Sequence, residues 1–169
     1  MEVQVREETK VIAPKKSKLE IIFATEVLVD YGQPLLPEVP PRYVKNISDD
    51  ILKAKVAEKR TGKWMINLGL VFVGPKVDHQ VARSIIGEES FNLAGVYETM
   101  ALLPIIPELP NEKFRFTALR DEMMDRGCEF VLTVHGTKKS AQAVMDFRDF
   151  LPDKDRLFVV ELGKPKKVD

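Results

Sequence analysis

Cysteine and histidine are almost absent from this sequence. Cys128 stands alone, and His79 and His135 are the only imidazoles. A single thiol excludes an internal disulfide, and beside a strand it reads as a small apolar residue. No Ser-His-Asp set or histidine-rich metal site can be assembled without one of the two imidazoles, and their separation carries no zinc-ligand spacing. His79 follows Asp78 near a helix start and is expected on a surface. Neither a metal nor a cofactor is expected.

Long apolar runs are missing too. None reaches the ~18 residues of a membrane-spanning helix, and Met1-Glu2-Val3-Gln4-Val5-Arg6 lacks the charged-then-apolar order of a signal peptide, so a cytoplasmic protein is expected. Charge of one sign does not dominate: 26 basic residues balance 26 acidic ones and the pI is about 6.8. Asn and Gln are scarce, eight residues against 52 charged ones, a bias associated with hyperthermophiles, and a thermophilic source is expected. The spaced glycines of a dinucleotide loop and the Gly-x-x-x-x-Gly-Lys-Ser/Thr order of a P-loop are both lacking.

What remains suits a single α/β domain spanning residues 1–169: 44% of the chain is hydrophobic and 31% charged, with no internal repeat. Val3 and Val5, and more loosely Val11, alternate with polar residues as in a half-buried strand, which Pro14 ends. Leu19 to Val29 reads as its hairpin partner. Proline-rich connections lie near 33–41 and 104–110. Ser48-Asp49-Asp50 starts a helix ending near Gly62. Trp64 to Val73 is apolar on both faces, so that strand is placed centrally. Asp78 caps a helix to Ile86, Ser90 one to Leu103, and Thr117 one that stops at Gly127.

Cys128 to Leu162 reads as a C-terminal βαβ unit. Glu129 to Val134 is the first strand. Thr137 caps a helix whose buried face carries Val144, Phe147 and Leu151, Pro152 ends it, and Leu157 to Val160 is the second strand. Together these elements predict a mixed sheet of about five strands with an N-terminal hairpin.

Within this unit, His135-Gly136-Thr137-Lys138-Lys139 lies beyond a strand end and at a helix start, where exposed amides and two lysines suit a phosphate. Gly136, Thr137, Lys138 and Lys139 are the ligand-binding candidates. His135 is the catalytic candidate, kept neutral by the helix terminus and able to act as a base beside a carboxylate such as Glu161. Pro152-Asp153 with Glu161-x-x-Lys164 is close to a metal-nuclease pattern, but the spacing departs by one residue and Glu161 reads as a surface group. Lysines at Lys15, Lys16 and Lys18, and at Lys164, Lys166 and Lys167, would form a nucleic-acid-binding stripe if they converge with the Lys138 turn.

Gly127, Glu129-Phe130-Val131, His135-Gly136 and Phe150-Leu151-Pro152-Asp153-Lys154 carry one resemblance. The helix, strand, helix, strand order from Thr117 to Gly163 resembles the C-terminal half of the Alba family of archaeal nucleic-acid-binding proteins. It covers under a third of the chain, and that family's basic N-terminal loop has no counterpart here.

Three functions follow as expectations. The first is a non-catalytic module for a phosphate-bearing partner, with nucleic acid foremost. The second is an assembly subunit using Leu35, Leu36, Val39, Ile105, Ile106 and Leu109 for oligomerisation. The third is a small enzyme acting on a nucleotide or phosphorylated metabolite through His135.

Overall fold

The computed structural model describes residues 19–57, 60–147 and 155–169. The Val3 to Val11 strand, the hairpin built on it, Lys15, Lys16, Lys18 and the segment from Phe150 to Lys154 all lie outside these residues.

The described residues form one mixed sheet of nine strands rather than about five. In chain order they are β1 (Glu20–Asp30), β2 (Val44–Ile47), β3 (Lys63–Phe72), β4 (Asn92–Leu93), β5 (Lys113–Asp125), β6 (Cys128–Thr137), β7 (Ser140–Phe147), β8 (Leu157–Glu161) and β9 (Lys166–Val168). The spatial order is β1-β3-β8-β5-β6-β7-β2, with β4 on β8 and β9 on β3. Parallel pairing is confined to β5 with β8 and β7 with β2. Helix α1 (His79–Glu88) and the short helix α2 (Val96–Met100) are the two α-helices among the described residues.

β3 lies inside the sheet, as its two apolar faces demand. Ile66, Leu68 and Leu70 join the main core, whereas Val71 and Val73 pack with Ala82 and Ile86 of α1 on the opposite face. α1 begins where expected, because the Asp78 carboxylate accepts a 2.8 Å hydrogen bond from the Val81 amide. Ser48 caps only a 3-10 turn over Asp49–Lys53, accepting from the Asp50 amide at 3.2 Å.

The largest corrections fall on two segments read as helices. Thr117 is no cap: its hydroxyl lies 3.0 Å from that of Thr133 across the β5–β6 pair, with both residues buried. Residues 140–147 form β7, with Ala141 and Ala143 buried in the core and Met145 against it. A period-2 face built from alanines is easily lost beside the helical spacing of Val144 and Phe147. Lys138 and Lys139 are therefore the two-residue tip of the β6–β7 hairpin, and the βαβ unit is replaced by an antiparallel meander of β5, β6 and β7. The helix-strand-helix-strand order behind the Alba resemblance goes with it.

Ser90 has a positive φ of 63° and precedes β4 instead of starting a helix. The second proline-rich passage is ordered as a 3-10 turn over Leu103–Glu108. Leu35, Leu36 and Ile105 pack half-buried on the core, and Ile106 and Leu109 are buried in it. Val39, 85% exposed, is the exception. These passages cover their apolar side chains with the chain's own core.

Candidate functional site

β5 pairs with β8 at Phe116↔Leu157 and Thr117↔Phe158. The first residues of β5 thus run past the start of β8, and the sheet rim opens there onto a cavity of about 340 Å³. Lys113 and Arg115 line it from β5, His135, Gly136 and Thr137 from β6, and Asp155 from the approach to β8. The strand period decides which groups meet. Phe116 turns into the core with Phe114 half-buried against it, and Arg115 alternates to the other face, where His135 is its direct cross-strand partner and Gln142 lies across from His135; at the strand end both Phe114 and Arg115 reach the cavity.

Gly136 allows the hairpin to close. Its φ is +130°, and a Cβ there would overlap the Ser140 carbonyl oxygen. The Thr137 hydroxyl accepts from the Ser140 amide at 3.1 Å. His135, Gly136 and Thr137 are thus brought together in one wall, joined by Lys113, Arg115 and Asp155, which the sequence did not single out. Lys138 and Lys139 sit at the adjoining hairpin tip, tied down by the Lys138 amide donating to the Glu112 carbonyl at 3.2 Å.

Behind the cavity, Asp146 is shared between Arg115 at 3.4 Å and Arg156 at 3.5 Å. Arg156 is buried, and its guanidinium donates to Nε2 of His79 at 2.7 Å. That bond requires neutral His79 with its proton on Nδ1. Burial, then the charges of Arg156 and Arg83, push the imidazole down to about 4. His79 is accordingly an interior residue, 1% exposed and edge-on to Phe158, not a surface one.

The remaining candidates lie elsewhere. Lys164 follows β8, and Lys166 and Lys167 belong to β9 beside the start of β3. Because β8 runs away from the cavity toward Glu161, these lysines stand at the opposite end of the sheet from Lys138 and Lys139. Among the described residues the basic groups form no single stripe.

Glu161 also leaves the cavity, and it is buried rather than on the surface. Arg60 donates to its two oxygens at 2.9 Å each, and Arg120 to Oε2 at 3.2 Å. Arg120 in turn lies 2.6 Å from Glu98, an ion pair without the alignment of a hydrogen bond, while the Tyr31 hydroxyl donates to Glu98 at 2.8 Å. Asp121 closes the cluster by accepting from the amides of Ala57 at 2.8 Å and Val96 at 2.9 Å.

The cluster is possible because β5 slips against β6 between Thr117 and Glu122, which displaces Arg120 and Asp121 toward β4 and α2. Burial raises the Glu98 carboxyl despite the opposing charge of Arg120. Hydrogen bonds to Glu161 raise the Arg60 guanidinium against its own desolvation. No group of three or more His, Cys, Asp or Glu able to hold a metal occurs among the described residues.

Comparison with protein-family models, with curated proteins and with solved structures returns no match. No helix among the described residues is long and apolar enough to cross a membrane.

Proposed function

We propose that this protein is a non-catalytic module that binds a phosphate-bearing partner at the β5–β6 rim. One observation carries the reading: Lys113, Arg115 and His135 line the same cavity of about 340 Å³. A guanidinium can hold two phosphate oxygens at once, an ammonium adds a point charge, and the imidazole can donate a further hydrogen bond. The volume falls within the ~300–1,000 Å³ range of small-molecule sites. Asp155, the one carboxylate among the described residues of the lining, can accept from a hydroxyl of the same ligand.

Binding without chemistry is favoured by what surrounds His135. A hairpin and not a helix follows it, and Glu161, the carboxylate envisaged as its partner, is held by Arg60 and Arg120 at the far end of β8. Lys138 and Lys139 extend the positive rim next to the cavity. A nucleic-acid strand presents the required group, and so does a smaller phosphate ester.

The test is a titration with labelled single- and double-stranded oligonucleotides and with inorganic phosphate at two salt concentrations. Binding should weaken with salt and fall at least tenfold in Arg115→Gln. No salt-sensitive binding at low ionic strength would sink the reading.

A further inference from the structure

A second cavity, of about 520 Å³, adjoins the first and shares Lys113, Phe114 and Asp155 with it. Its other walls differ in kind: Ile22, Phe72 and Leu157 are apolar, and Asn111 supplies an amide at the edge. Phe114 is the aromatic group between the two chambers. Its ring stacks on Phe116, with centroids 5.8 Å apart and planes 27° from parallel, and Phe116 is wholly buried. Phe116 thus fixes the orientation of Phe114, which is half-buried and contributes to the lining of both cavities.

From this pairing we infer that the ligand is a phosphate monoester that carries an aromatic or heteroaromatic ring, a class that includes phenyl phosphate and the nucleoside monophosphates. Its phosphate lies against Lys113 and Arg115, and its ring lies on Phe114 in the second chamber. This rests on the phosphate reading above and narrows it. A rigid aromatic platform favours a planar ring through stacking and burial. Ile22, Phe72 and Leu157 exclude water from the ring's flanks, and Asn111 can both donate to and accept from a ring edge. An ion as small as inorganic phosphate leaves the apolar chamber unused, so the extra affinity comes from the ester group.

Calorimetric titration with inorganic phosphate, glycerol 2-phosphate and phenyl phosphate tests this directly. Phenyl phosphate should bind at least tenfold more tightly than the other two. Phe114→Leu should remove that preference while leaving inorganic phosphate within twofold, and Asn111→Ala, at an exposed position, should leave phenyl phosphate nearly unchanged but weaken a nucleoside monophosphate severalfold. If Phe114→Leu fails to fold, Phe114→Met, which keeps an apolar side chain without the ring, supplies the same comparison. Equal affinities for phenyl phosphate and glycerol 2-phosphate would overturn the aromatic ligand and leave the phosphate reading standing. Failure of all three to bind, or binding unaltered by Arg115→Gln, would overturn both.

Discussion

Arg60 and Glu161 meet through two parallel hydrogen bonds of 2.9 Å, with side chains 10% and 1% exposed. The pair joins the loop before β3 to the end of β8, and Arg120 draws β5 into the same contact. Trp64 lies 5.7 Å from the Arg60 guanidinium and covers it with an aromatic face. Such a cluster is costly to build and more costly to break, since removing one member strands the others out of water.

Glu161→Gln should therefore destabilise the protein by about 3–5 kcal/mol, the cost of breaking a buried pair by neutralising one partner. Urea denaturation measures it. A loss below about 1 kcal/mol would mean that water reaches Arg60 and Arg120 and that the cluster is not closed.

Gly95 and Gly87 should respond to alanine with opposite signs. A Cβ on Gly95 would overlap the Asp121 carboxylate and the Arg120 guanidinium, whereas one on Gly87 meets nothing within 4 Å. Gly95→Ala should cost at least about 1–3 kcal/mol, as overpacking does. Gly87→Ala, within α1, should stabilise by roughly 0.5–1 kcal/mol. Thermal melts of the two variants side by side decide the matter.

His79 makes stability depend on pH in a definite direction. Its imidazole stays neutral in the fold down to about 4, against 6.5 when unfolded. Between those values the unfolded chain binds the extra proton, so the contribution is fully present above pH 6.5 and is lost as the pH falls to about 4. Its size is on the order of 3 kcal/mol. Arg156 and Arg83 reinforce the effect, and Glu129 and Asp146 oppose it. His79→Gln keeps an acceptor for Arg156 but cannot titrate, so its stability between pH 4 and 6.5 should be flatter than that of the wild type. Parallel profiles would show that His79 is not the group responsible.

The hydroxyls of Thr117 and Thr133 should prove a matched pair. Replacing either one with Val leaves a buried hydroxyl without its partner at 3.0 Å, at a cost of about 1–3 kcal/mol. Replacing both should cost much less than the sum of the single changes, and a double-mutant cycle reads the difference.

Some elements were legible because local chemistry and tertiary demand agree. Asp78 announces α1, and the doubly apolar Trp64 to Val73 run announces an internal strand. β5 and β7 were not legible. Thr117-Ala118-Leu119-Arg120 and the alanines of β7 favour helices, and only sheet neighbours on both sides override that preference. The cavity was half legible. His135, Gly136 and Thr137 were singled out, though for a helix terminus that does not exist, while Lys113, Arg115 and Asp155 join them only through strand register. The ionic cluster left one unread signal: Glu161 directly continues the wholly buried Leu157-Phe158-Val159-Val160 run, and a carboxylate so placed needs a cation.

By itself, then, the sequence determined the local quantities: where an aspartate caps a helix, which strand is apolar on both faces, where prolines interrupt regular structure, and that no disulfide closes within the chain. These depend on neighbours within a few residues. Tertiary structure alone decided that β5 and β7 are strands, that Glu161 faces Arg60 and not His135, and that the lysines of β9 stand apart from those of the hairpin. Each of these depends on register between segments distant in the chain. Register is set by the summed burial of whole strand faces, a quantity that no short stretch of sequence contains.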